Sequence, residues 1–247
     1  MKKFGKSAKR EALLMLAYML CMGFLCGPSI YYRYQNIERA KKEIYLEDVN
    51  EATAYVSASV QEESPKIAIT FDDGPSGSWT PMLLDGLKER GVKGTFFLIG
   101  GNVEKYPEVV KRLHEEGHLI GNHTFHHVEI TKLSEEEASR EILDTNEAIR
   151  KITGEEVEYM RPPFGAWRKN LELKMPVLPV MWTVDPLDWT TENTDDIVNR
   201  VVTEIEENDI ILLHDCYKSS VEAALRIVDI LQKEGFEFVT VDELLMN

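Results

Sequence analysis

The chain has 247 residues, of which 43% are hydrophobic and 29% charged, the proportions of a globular protein of one or two domains. There are 28 Lys and Arg against 43 Asp and Glu, a formal net charge of −15, and no basic run lies in the globular part, which argues against a nucleic-acid partner. Cys216 alone falls in the globular part, so no disulfide framework can form within it.

Lys2, Lys3, Lys6, Lys9 and Arg10 precede an uncharged run from Ala12 to Tyr32. A run of about 21 residues is long enough to cross a bilayer as a helix. No small-x-small cleavage site follows it, and Leu precedes both Cys21 and Cys26, a poor lipoprotein signal. The expected division is residues 1–11 cytoplasmic, 12–32 an uncleaved membrane anchor, 33–64 a polar stalk, and 65–247 a domain outside the cytoplasm at the cell membrane.

From Lys66 onward strand and helix patterns alternate. Lys66–Thr70 reads as a buried strand bounded by Pro65 and Gly74-Pro75. Thr80 and Pro81 read as the N-cap and first turn of a helix that Gly91 ends. Thr95–Ile99 is a strand, and Tyr106-Pro107 opens a helix that stops at Gly117. His118–Gly121 is a short strand, and Ser134 with Glu137 forms a capping box for a long helix to about Ile152. Strands follow at Tyr159–Arg161, Val180–Val184, Ile210–Leu213 and Phe236–Val239. Helices are expected after Thr194 and from about Ser220 to Lys233, with a closing turn at Val241–Met246. The two prolines in Met175–Pro179 forbid a long regular helix between Arg161 and Trp182. This βαβα series implies a mostly parallel sheet or barrel.

The chemistry-bearing residues cluster at strand ends. Asp72-Asp73 closes the first strand, and two adjacent carboxylates there are costly unless something neutralises them. Five of the six histidines lie between His114 and His127, and the sixth is His214. One Asp with His123 and His127 would give a divalent ion three ligands and leave positions open, the catalytic pattern rather than the closed structural one. The residues alone do not say which Asp is the ligand, and His126 could stand in for His127. His114 and His118 read as structural. Arg161, Asp185, Asp188 and His214 also follow strands, the edge where active sites of such folds assemble.

Five motifs in order carry a family resemblance: Thr70-Phe-Asp-Asp-Gly-Pro75, His123-Thr-Phe-His-His127, Arg161-Pro-Pro-Phe164, Asp185-Pro-Leu-Asp-Trp189 and Leu212-Leu-His-Asp215. Over residues 66–247 the chain resembles the polysaccharide deacetylases, the NodB-homology or carbohydrate esterase family 4 domain. The resemblance implies a distorted, incomplete (β/α) barrel and metal-dependent removal of acetyl groups from sugars. It implies that Asp73, His123 and His127 hold one divalent ion (zinc by donor type, with cobalt or nickel fitting the same set), that Asp72 is the general base and that His214 is the general acid. Asp188 would raise the pKa of His214, and Arg161 would orient Asp72. Phe164 (where Tyr is common), Trp189 and Leu212 would line the acetyl pocket, with a backbone N–H near Phe164 at the oxyanion. Asp185 reads as a turn residue before Pro186.

The implied partner is an acetylated cell-envelope glycan, most simply peptidoglycan, with N-acetylglucosamine or N-acetylmuramic acid as the reacting residue. No obligate protein partner is evident. The alternatives are chitin-like oligomers, acetylxylan, or a catalytically silent glycan-binding domain of the same fold. A phosphatase of the haloacid dehalogenase type is disfavoured, because its motif needs separated acids and a Thr where Pro75 stands.

Overall fold

The structure is a computed structural model that describes residues 13–15, 39, 42, 64–167 and 176–246. The chain divides into Met1–Glu63 and Ser64–Asn247. Almost all of the expected anchor and stalk lies outside the described residues, as does the segment 168–175 where a shortened helix was expected. Among the described residues no helix is long and apolar enough to cross a membrane.

The second unit is an α/β domain with a parallel sheet. Its strands are β1 (Lys66–Gly74), β2 (Thr95–Leu98), β3 (Leu119–Asn122), β4 (Tyr159–Met160), β5 (Leu178–Pro179), β6 (Ile210–His214) and β7 (Glu237–Val239). The order is β5-β4-β3-β2-β1-β6, with β7 paired to the start of β1, and every pairing is parallel. Helices α1 (Trp79–Glu89), α2 (Gly100–Lys105), α3 (Pro107–Glu115), α4 (Glu135–Thr153), α5 (Thr194–Val202), α6 (Lys218–Lys233) and α7 (Val241–Leu245) alternate with the strands. Parallel neighbours need such crossovers, and these bury apolar stripes against the sheet. Leu83, Leu84 and Leu87 of α1 and Ile227, Val228 and Leu231 of α6 meet Ile67, Ile69 and Phe71 of β1 in one core.

Several boundaries depart from the sequence reading for local reasons. Thr80 lies inside α1 rather than capping it. Ser76 Oγ accepts the N–H groups of Trp79 and Thr80 instead, and the Thr80 hydroxyl is turned to Asp215 at 2.5 Å. A separate short helix, α2, precedes the proline-led α3, and the closing turn is the helix α7. The expected strand at Val180–Val184 does not form. The carbonyls of Val180 and Met181 accept from the Arg161 guanidinium at 3.1 Å, and only Val184 keeps a bridge, to Ile211 of β6. With β5 paired to β4 and Val184 bridged to β6, one segment touches both ends of the strand order. The capping box of α4 forms as expected, with Gly154 ending the helix in the left-handed region at φ 79°.

Candidate active site

The site lies at the carboxyl ends of β1, β3 and β6 and in the turns that follow them. Asp72 and His214 are register partners on β1 and β6, which sets them side by side. Consecutive strand residues normally point to opposite faces. At Asp73 the backbone takes a left-handed φ of 70°, and the β1–β2 register shifts between Asp72 and Gly74. That irregularity turns both carboxylates into one cleft of about 510 Å³. Asn102 of α2 fixes the kink by donating to the Asp73 carbonyl at 2.9 Å.

The two acids have different surroundings. Asp72, 4% exposed, accepts from Arg161 Nη1 at 2.9 Å. Arg161 is fully buried, also donates to Thr70 Oγ1 and the two carbonyls above, and lies over the Phe97 ring at 4.3 Å. Asp73 Oδ1 is buried with no hydrogen-bond partner, yet His123 Nε2 lies 3.4 Å away and His127 Nε2 3.2 Å away. One ligand atom from each of Asp73, His123 and His127 lies within 4.8 Å of the others. His123 Nδ1 sits 2.7 Å from the Arg161 carbonyl, which can only accept, so Nδ1 carries a hydrogen and Nε2 is the ring nitrogen turned toward Asp73. Burial, joined by repulsion from the other imidazoles, keeps His127 below the usual histidine range despite Asp73. Burial pushes Asp73 up, but His123, His127 and His214 outweigh it and hold the carboxyl below its ordinary value. A carboxylate and two imidazoles around an orphaned buried oxygen are a donor set that fits a divalent ion.

Across the cleft, His214 Nδ1 meets Asp188 Oδ1 at 2.8 Å, and the His214 backbone N–H donates to Asp188 Oδ2 at 2.9 Å. Burial disfavours the imidazolium, but Asp188, helped by Asp72 and Asp73, raises His214 to about 9. Asp185 accepts from the Leu187 N–H at 2.8 Å and so serves the turn ahead of Asp188, as expected of it.

All ten expected site residues are therefore in or against the cleft. Phe164, Trp189 and Leu212 line it, with Phe164 edge-on to His127 at 4.9 Å between ring centroids. His126 is not drawn in; its side chain is 68% exposed and bonded to Glu141 at 2.8 Å. His118 is buried, accepts from the Gly94 N–H, and is pushed down to about 4 by desolvation, a structural histidine as read. Trp182, Leu187 and Tyr217 also line the cleft and were not anticipated. Leu187 lies within the fourth motif, and Trp182 and Tyr217 lie within three residues of a motif. Asp215, the last residue of the fifth motif, is fully buried against Gly74 and bonded by Thr80. Burial raises it to about 7. Cys216, raised by burial to about 12, is a packed and unreactive thiol.

Fold and site together define an α/β protein with an Asp-His-His cluster that could hold an ion and an Asp–His pair at the carboxyl edge of a parallel sheet. The polysaccharide deacetylase family profile matches residues 59–178. The peptidoglycan-N-acetylmuramic acid deacetylase PdaC of Bacillus subtilis is 33% identical across 98% of this chain, which spans 56% of that protein's length. A peptidoglycan-N-acetylglucosamine deacetylase of Bacillus cereus is 38% identical over 72% of this chain and 68% of its own length. The solved structure of PdaC superposes with a TM-score of 0.73 at 39% identity, covering 76% of this chain and 93% of that one. The chain belongs to the polysaccharide deacetylase family.

Proposed function

We propose that the protein removes N-acetyl groups from peptidoglycan, acting on N-acetylglucosamine or N-acetylmuramic acid residues. The observation that carries this reading is the convergence of Asp73, His123 and His127 within 4.8 Å beside an Asp72 that is held by Arg161 instead. These three residues would hold the divalent ion, zinc by donor type, which when bound supplies a Lewis acid toward the acetyl carbonyl and acidifies water.

The chain's own residues do the proton work. Asp72 is fixed by Arg161 through Oδ1, so Oδ2 is the oxygen left to take a proton from the attacking water. His214, raised to about 9, is an imidazolium at neutral pH. Its Nδ1 is occupied by Asp188, so Nε2–H is the proton it gives to the departing amine as the C–N bond breaks. An amide needs that proton because an unprotonated amine is a poor leaving group. A backbone N–H near Phe164 would help hold the oxyanion. Trp189, Leu212 and the exposed ring of Phe164 supply apolar surface for the acetyl methyl and the sugar faces.

The same reading assigns the domain to the outer side of the cell membrane, tethered by residues 12–32, on the strength of the basic N-terminus and the uncharged run. A catalytically silent domain is disfavoured because every motif position keeps its acid, base or ligand. The test is acetate release by residues 60–247 from purified peptidoglycan, chitin oligomers and acetylxylan, with and without a chelator. Chelator-sensitive release from peptidoglycan is expected. No release from any of the three, with the ion retained, would replace this reading with a silent glycan-binding domain.

A further inference from the structure

Two of the three ion-site residues sit in a turn that the backbone resists. Thr124 has φ 62° and His127 φ 54°, left-handed values that non-glycine residues take only when their surroundings impose them. The imposing group is Glu141 of α4, whose side chain is only 15% exposed. Its Oε2 accepts the backbone N–H of Phe125 at 3.0 Å and of His126 at 2.9 Å, while Oε1 accepts from His126 Nδ1 at 2.8 Å. Two successive N–H groups converging on one anionic oxygen form a nest, filled here by the chain's own carboxylate. The same helix grips the start of the turn. Asn122 accepts the Thr124 N–H at 2.8 Å and donates to the Ile142 carbonyl and Asn146 Oδ1. On the other side Gly100 is pressed so closely that a Cβ there would stand 2.4 Å from the Phe125 ring and 2.7 Å from Thr145 Oγ1 of α4.

We propose that Glu141 is a positioning residue for the ion site. Its carboxylate fixes the backbone between His123 and His127, and with it the 5.0 Å separation of the two imidazole rings. It reaches the ion only through that backbone. The inference rests on the reading of Asp73, His123 and His127 as ligands, and not on which glycan is cleaved.

Zinc affinity, measured by competition with a chromophoric chelator in the absence of substrate, tests it. E141M fills the same space but accepts no hydrogen bond, and should bind zinc about 10–100-fold more weakly. E141D, a methylene short, should lose a smaller factor. E141Q keeps a carbonyl for both N–H groups and should recover most of the wild-type affinity. H126A should bind zinc as the wild type does. A merely structural Glu141 would lower the melting temperature of the zinc-free protein and leave zinc affinity alone. Wild-type affinity in E141M, or in E141D should E141M not fold, overturns the assignment. A wild-type protein that binds no divalent ion would remove the ion site itself and this inference with it.

Discussion

On the flank of the cleft formed by β1 and the turn after β3, Asp73, His123 and His127 point at a common centre while Asp73 Oδ1 bonds to nothing. On the flank formed by β6 and the turn before α5, Asp188 and His214 satisfy each other through two hydrogen bonds. A buried polar atom without a partner costs free energy that folding must offset elsewhere. The first flank could therefore take a cation, whereas the second is already paired within itself. Asp72 stands between them, its Oδ1 taken by Arg161 and its Oδ2 3.9 Å from His123 Nε2. The proposed division of labour, ion on one side and proton on the other, rests on which polar atoms the fold leaves unpaired.

Emptying the first flank should have the largest effect. H123A removes one of three ligands, and the protein should lose its tightly bound ion and at least about 10³-fold in kcat/KM, the several kcal/mol a Lewis acid contributes. Metal content after dialysis and acetate release measure both. Retention of the ion by H123A would mean that the centre is held by other residues. D72N tests the residue between the flanks. It should keep the ion and lose about 10²–10⁴-fold in kcat, the range for a positioned general base. Loss of the ion in D72N would move Asp72 into the first flank.

This contrast is only partly visible in the chain itself. Strand-end placement of Asp72-Asp73, His123, Arg161 and His214 is legible because an apolar run followed by a polar residue and a turn has one simple reading. What periodicity cannot give is the kink at Asp73. A regular strand would send Asp72 and Asp73 to opposite faces, and the left-handed residue with its register shift is what brings both into the cleft. The missing strand at Val180–Val184 has a similar cause. The run is apolar enough to pair, but the Arg161 guanidinium, distant in sequence, takes its carbonyls. His126 and His127 are indistinguishable by residue type, and Glu141 on α4 separates them by holding one outward. In each case a long-range polar contact overrides a local pattern.

The second flank should respond more gently. Asn in place of Asp188 keeps the shape but withdraws the charge that raises His214, leaving burial to push the imidazole down. The alkaline limb of kcat in D188N should therefore move to lower pH. Turnover at pH 8 should fall by about 10–100-fold, with the ion retained and less loss at pH 6. A D188N profile parallel to the wild type at every pH would separate Asp188 from the proton on His214.

The smallest effect is on stability, and it distinguishes the flanks without any substrate. In the folded protein His214 titrates at about 9, against about 6.5 for a free histidine. The folded state binds this proton more tightly than the unfolded state does. The stabilisation is therefore complete below about pH 6.5 and is lost as pH rises through about 9. His127 works the other way. Its folded value is depressed by burial, so its contribution is lost as pH falls. His127 is common to the wild type and D188N and cancels between them to first order. With the ion removed by chelation, the melting temperature of the wild type should decline by a few degrees relative to D188N between pH 6.5 and 9, roughly 1–2 kcal/mol for a domain of this size. If the difference between the two proteins stays constant across that range, Asp188 and His214 do not share a proton in the folded state, and the second flank, like the first, would be left open to something from outside the chain.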